Sequence, residues 1–214
     1  MKITIMKMKH GFLVLTMALF AVITQAQTPA TFGIRAGVNF QNVNGENTNG
    51  DKLDNKIKTG FNAGITADIP VAPDFYFQPG LLYSAKGAKL ENTDDGKLSL
   101  NYVELPLNFL YKPVLGTGKL LMGFGPYLAY GIGGKVENAG LEADVKFKKE
   151  AGNEANTVYY KPLDAGANLL FGYEFSNKVS AQLNAQLGLV NINAYDNDAK
   201  YKNTGFGVSL GYKF

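Results

Sequence analysis

Ionisable side chains isolated among apolar neighbours are the first place to look for chemistry. Five residues carry that signature here: Arg35, Asp68, Glu104, Glu174 and Lys213, each at a polar position of an otherwise alternating apolar stretch. Such a set either gates or binds a charged solute, or pairs internally where water is excluded, because an unpaired ion in a low-dielectric interior is costly. Arg35 and Asp68 fall on successive stretches and are the expected pair. Two further groups offer the oxygen-only ligands that calcium takes: Asn47, Asn49, Asp51 and Asp54, then Asp196, Asn197 and Asp198. Neither fits the full calcium-loop spacing, and solvated loops have the same composition. No metal and no cofactor is therefore expected.

Other chemistry is excluded by what the chain lacks. It has no cysteine, so neither disulfides nor thiolates can form. Its one histidine, His10, lies in a segment that reads as a leader. Without it, Ser-His and Cys-His nucleophile pairs are ruled out and the commonest transition-metal ligand is gone. No catalytic residue is expected.

The leader is residues 1–26. Lys2, Lys7 and Lys9 precede an apolar run from Gly11 to Ile23, and Thr24-Gln25-Ala26 supplies small residues for a signal peptidase. The run is shorter than the ~20 residues that a membrane-spanning helix needs. The mature domain, 27–214, is expected to begin at Gln27. Its charge differs from that of the whole chain, which has 21 basic and 18 acidic residues. Removing three lysines leaves 18 − 18 = 0. Nucleic-acid binding by bulk charge is thereby excluded.

The elements that must carry the five charges show period-two alternation, which predicts strands. Eight runs have it. Phe32, Ile34, Ala36, Val38 and Phe40 alternate with Gly33, Arg35, Gly37 and Asn39; Phe61 to Ile69 alternate with Gly60 to Asp68. Further runs are Phe75–Lys86, Tyr102–Tyr111, Leu120–Gly133, Asp164–Phe175, Val179–Leu189 and Gly205–Phe214. Each has about the ~9–11 residues with which a tilted strand crosses hydrocarbon. The connections alternate as well. Pro70–Asp74, Pro113–Gly118 and Ser176–Lys178 are short, whereas Gln41–Thr59, Gly87–Leu98, Gly134–Leu163 and Val190–Asn203 are long and polar.

Sidedness separates a membrane barrel from a soluble sandwich. The polar face is small and glycine-rich, which suits the inside of a narrow eight-stranded barrel and has no purpose in open water. Aromatics gather at both ends of the apolar face. Phe32, Phe75, Phe77, Phe109, Tyr111, Tyr173, Phe175, Tyr212 and Phe214 fall near the short-turn rim, and Phe40, Phe61, Tyr83, Tyr130 and Phe206 near the other. The expected fold is all-β: an eight-stranded antiparallel up-and-down transmembrane β-barrel. Arg35, Asp68, Glu174 and Lys213 then point inward near the short-turn rim, with Glu104 nearer mid-depth. In the third long loop, Leu141, Ala143, Val145 and Phe147 alternate with charged residues and predict a strand extension, whose edge either pairs with a partner or stiffens the loop. Pro79, Pro106 and Pro126 lie within strands, where a missing N–H interrupts the ladder; bulges would accommodate them, though the sequence does not itself call for one.

Several pieces resemble the PorT-like outer-membrane β-barrel family of Bacteroidetes-type bacteria. They are Asn101-Tyr102-Val103-Glu104-Leu105-Pro106-Leu107, Gly123-Phe124-Gly125-Pro126-Tyr127, Asp164-Ala165-Gly166, Gly172-Tyr173-Glu174-Phe175 and the terminal Gly211-Tyr212-Lys213-Phe214. The resemblance spans essentially the whole mature chain. It implies residence among outer-membrane lipid, insertion by the barrel-assembly machinery through the terminal aromatic, and for the name-giving member a link to a secretion system. It implies no activity. The expected role is structural or interactive, through the long loops and with a filled lumen, toward a surface or secretion-system protein partner. A narrow solute channel or an accessory barrel of a secretion system is the other expectation.

Overall fold

The computed structural model describes residues 29–90 and 96–214. The leader and the junction at Gln27 lie outside the described residues.

Eleven strands form in the described residues. They are β1 (Thr31–Glu46), β2 (Lys58–Ala72), β3 (Phe75–Lys89), β4 (Lys97–Tyr111), β5 (Val114–Leu115) and β6 (Gly118–Asn138). β7 (Leu141–Phe147), β8 (Thr157–Tyr160), β9 (Leu163–Glu174), β10 (Val179–Gly188) and β11 (Lys200–Lys213) follow. Eight of them, in the order β1-β2-β3-β4-β6-β9-β10-β11, pair antiparallel each with the next. β11 pairs back onto β1, from Gly33 opposite Lys213 to Glu46 opposite Lys200. The sheet is therefore closed, and no edge is left to aggregate. β5 only tightens the β4–β6 turn.

Alternation fixes which side faces which solvent. On β9, Leu169 is 64% exposed while Leu170 next to it is 5% exposed, and on β11 Leu210 is 62% exposed beside Ser209 at 1%. An apolar belt this wide on a monomer has no place in water. Aromatic pairs rim it. Phe75 stacks on Tyr111 at 4.8 Å and Phe77 sits 5.4 Å from Phe109 at the short-turn rim. Phe40 stacks on Phe206 at 5.2 Å and Phe61 lies 5.2 Å from Tyr83 at the other.

Strands overrun the lengths expected of them at the long-loop rim. β3 continues to Lys89 and β4 starts at Lys97, so the expected Gly87–Leu98 loop is mostly hairpin. In this overrun polarity inverts. On β4 the outward residues change from Leu107, Leu105 and Val103 to Asn101, Ser99 and Lys97, and the inward ones become Leu100 and Leu98, 0% and 3% exposed. A bulge at Ile132 accompanies the change, since Tyr102 opposes Gly131 while Asn101 opposes Gly133.

The prolines are accommodated without bulges. Pairing lapses between Thr66/Gly80 and Ile69/Phe77, between Pro79/Leu107 and Leu82/Glu104, and between Pro106/Tyr127 and Phe109/Phe124. Each ladder resumes in the same register, so no bulge sits at Pro79, Pro106 or Pro126. A missing N–H costs a rung; it adds no residue to the strand.

Candidate functional site

The lumen is where the sequence places its charges, and it fills in layers. At the short-turn rim Asp68 accepts from Lys213 at 2.6 Å, from Gln78 at 2.7 Å and from Lys112 at 2.9 Å. Lys112 also reaches Glu174 at 2.7 Å and stands 5.0 Å from the centre of the Tyr76 ring. Beside this cluster lies an apolar patch of Leu110, Leu121 and Leu170 packed with Tyr76.

Further up, Arg35, Asn39, Asn62, Ser84, Glu104 and Gln186 border a cavity of about 20 Å³. A space of that size holds roughly one water molecule. Arg35 Nη1 donates to Asn184 Oδ1 at 3.4 Å, while Arg35 Nε, Gln41 Oε1 and Asn62 Oδ1 have no hydrogen-bond partner among the described residues.

Above the cavity Lys86 bridges two carboxylates, Glu104 at 3.0 Å and Asp164 at 3.3 Å, with all three side chains at most 2% exposed. Asn203 donates to Asp164 at 2.9 Å, the Tyr127 hydroxyl to the same carboxylate at 3.3 Å, and Gln186 to Glu104 at 2.6 Å. The Lys86 ammonium stands 4.2 Å from the Tyr127 ring centre. One cation between two buried acids is tolerable because neutral donors supply the remaining hydrogen bonds.

A lid closes the top. Val145 of β7, Tyr160 of β8 and Ile192 pack on Val43, Leu98, Leu100, Tyr102 and Tyr127. Phe147 lies edge-on to Tyr102 at 5.4 Å and fills the space over Gly131, where a Cβ would come within 2.3 Å of its ring.

The structure thus splits the five expected residues into three places. Asp68, Glu174 and Lys213 meet at the rim, Glu104 joins the upper cluster, and Arg35 lies between the two. The expected Arg35–Asp68 pair does not form. Strand adjacency fixes neighbours but not height: Asp68 opposes Thr31 and Arg35 opposes Gly64, four residues further along. Three partners had gone unnamed. Lys86 and Asp164 were legible as inward positions. Lys112 continues the inward parity of Glu104, Asn108 and Leu110 past the end of β4, and falls between the run expected to end at Tyr111 and the turn expected from Pro113.

A closed eight-stranded barrel with an apolar belt, aromatic rims and a polar, packed interior decides the class. The family described as outer membrane protein beta-barrel domain matches residues 25–194. The chain belongs to this family. It is an outer-membrane protein of the Gram-negative envelope, and its short-turn rim is periplasmic. No curated protein matches the chain. Among solved structures it is similar to Neisserial surface protein A, at 14% identity and TM-score 0.49, over 87% of this chain and 100% of that one. It is also similar to the attachment invasion locus protein Ail of Yersinia pestis, solved with the heparin analogue sucrose octasulfate, at 15% identity and TM-score 0.44 over 87% and 100%. OprG from Pseudomonas aeruginosa follows at 12% identity and TM-score 0.46, over 89% and 98%.

The external loops of this outer-membrane barrel use their oxygens on themselves. Asn47 Oδ1 accepts from the amides of Asn49 and Asp51 at 2.9 and 3.0 Å, and Asn197 Oδ1 from Asn193 Nδ2 at 2.6 Å. No group of three acids stands together among the described residues. The strand expected at Leu141–Phe147 forms as β7, and its edge is not free. β6 pairs with one side and β8, parallel, with the other. Tyr160 then bridges to Asn193 beyond. β7 is therefore stiffened from within the loop.

Proposed function

We propose that this protein is a non-conducting, non-enzymatic outer-membrane barrel whose working surface is the folded collar of external loops. The observation that carries this reading is the series of obstructions along the lumen. A solute would have to pass two ion-paired clusters, an apolar patch, a cavity of about 20 Å³ and an apolar lid. Moving a buried paired ion aside leaves its partner uncompensated, at several kcal/mol, so thermal gating of such a stack is rare. The absence of histidine after residue 26 supports the non-enzymatic part. The Tyr102–Leu107 and Gly123–Tyr127 pieces support a place among PorT-like barrels, and a surface or secretion-system protein is the class of partner that a rigid collar suits.

Planar-bilayer recording of the purified barrel tests the closed lumen. Wild type is expected to give no steady conductance, and a replacement of residues 141–160 by a short Gly-Ser link still none, because both charge clusters remain. Steady ohmic current from wild type would overturn the reading.

A further inference from the structure

A groove of about 400 Å³ lies on the outside of the barrel wall where β10, β11 and β1 emerge, just above the aromatic rim. Lys200, Lys202, Lys52 and Glu46 line it, with Leu53 and Leu187 as apolar walls. β11 sets its height. Phe206 stacks on Phe40 at the membrane interface, and Lys202 stands four residues further along the same outward face. Four residues are ~13 Å of strand, or ~10 Å of height at a tilt of ~40°. Long lysine stems then reach the lipid headgroups beside them.

The charge of the groove is unbalanced. Three lysines against one glutamate give 3 − 1 = +2. Lys200 Nζ lies 3.3 Å from Glu46 Oε2; Lys52 and Lys202 make no ion pair among the described residues. Two ammonium groups without an ion-pair partner among the described residues therefore stand beside the half-buried Leu53 and the lipid-facing Leu187, which is 57% exposed on the lower side. Cationic above and apolar below is the complement of an amphiphile with a phosphorylated head. Height selects among anions: roughly 10 Å above the interfacial Phe206 ring the groove stands level with the outer-leaflet headgroups, whose phosphates are always beside it.

We propose that this groove binds the phosphorylated headgroup of an outer-leaflet lipid, with Lys52 and Lys202 on the phosphate and Leu187 against the first acyl carbons. Glu46 opposes binding by occupying Lys200.

Native mass spectrometry of the refolded barrel in a neutral detergent tests this with three probes: a diphosphorylated lipid A glycolipid, the same lipid after enzymatic dephosphorylation, and sodium phosphate. Wild type should hold one diphosphorylated molecule. Lys52→Gln with Lys202→Gln should weaken it at least about tenfold, since each juxtamembrane lysine contributes a few-fold to anionic-lipid affinity. Glu46→Gln should tighten it, a gain that damaged folding cannot mimic. Lys135→Gln, on an exposed lysine paired with Glu142 on β6, should leave it unchanged. Equal binding by the double lysine variant or of the dephosphorylated lipid would overturn the proposal. So would displacement of the lipid by an equal concentration of sodium phosphate, which would mark a free-anion site.

Discussion

The same strands build two structures of opposite polarity, one above the other. In the membrane storey β4 turns Leu105, Leu107 and Phe109 outward and Glu104 and Asn108 inward; in the collar it turns Ser99 and Lys97 outward and Leu98 and Leu100 inward. Strand geometry is common to both, since the pleat alternates regardless of height. What differs is the medium. Against lipid, a strand sends its apolar side out and must gather polar groups around the axis. Against water, the same alternation folds an ordinary apolar core, here plugged by β7, β8 and Ile192. Burial is dear for the two storeys in different ways: the membrane storey must pair ions, while the collar must only pack side chains.

The largest expected effect follows from the ion-pairing storey. Lys86→Met removes the cation shared by Glu104 and Asp164, which are 1% and 0% exposed. Leaving such charges uncompensated typically costs about 3–5 kcal/mol. Urea unfolding from lipid vesicles, followed by tyrosine fluorescence in a chain with no tryptophan, should show a loss of that order. Adding Glu104→Gln and Asp164→Asn should recover most of it, because neutral amides need no counter-ion. A loss under ~1 kcal/mol for Lys86→Met would mean that water reaches the cluster and the lumen is wetter than its packing implies.

A paired substitution on one face of one strand sharpens the comparison. Leu105→Lys puts an ammonium near mid-bilayer, at an expected cost of about 2–4 kcal/mol. Ser99→Lys makes the same change six residues away on the same outward face and should fall within ~0.5 kcal/mol of wild type. The same unfolding experiment reads both. Equal costs would place lipid and water wrongly along the strand, and with them the height of the collar.

How far the molecule could be read from its sequence follows the same division. The eight membrane strands, their sidedness and the inward set were legible, because lipid enforces one rule over ~10 residues. The collar, apart from β7, was not, because a reader tracking apolar-out residues loses the strand where the rule inverts. Gly87–Leu98 looked like loop for that reason, although Ala88, Leu98 and Leu100 are buried core. The Ile132 bulge hides β6 in the same way by shifting its parity. Heights were illegible too. Stagger between neighbouring strands comes from barrel closure, so Arg35 and Asp68 look like partners in sequence and are separated in the fold. The groove at Lys200 and Lys202 needs both pieces, the inversion and the stagger.

The smallest effect belongs to the collar's exposed ions. Glu154 accepts from Lys146 and from Lys148, the latter at 3.0 Å, across the turn that joins β7 to β8. These lysines hold its carboxyl at about 2, below its ordinary 4.5. A depressed carboxylate contributes stability above its unfolded value and loses it as pH falls toward the folded one. The window is therefore below about 4.5. The protection factors of the amides at 148–157, taken against the intrinsic exchange rate at each pH, should fall from pH 5 to pH 3, and Glu154→Gln should give the low protection at both, leaving the barrel transition unmoved. Exposed pairs contribute little where water screens them, so a Glu154→Gln effect rivalling Lys86→Met would mean that the collar draws its order from charge and not from its apolar core.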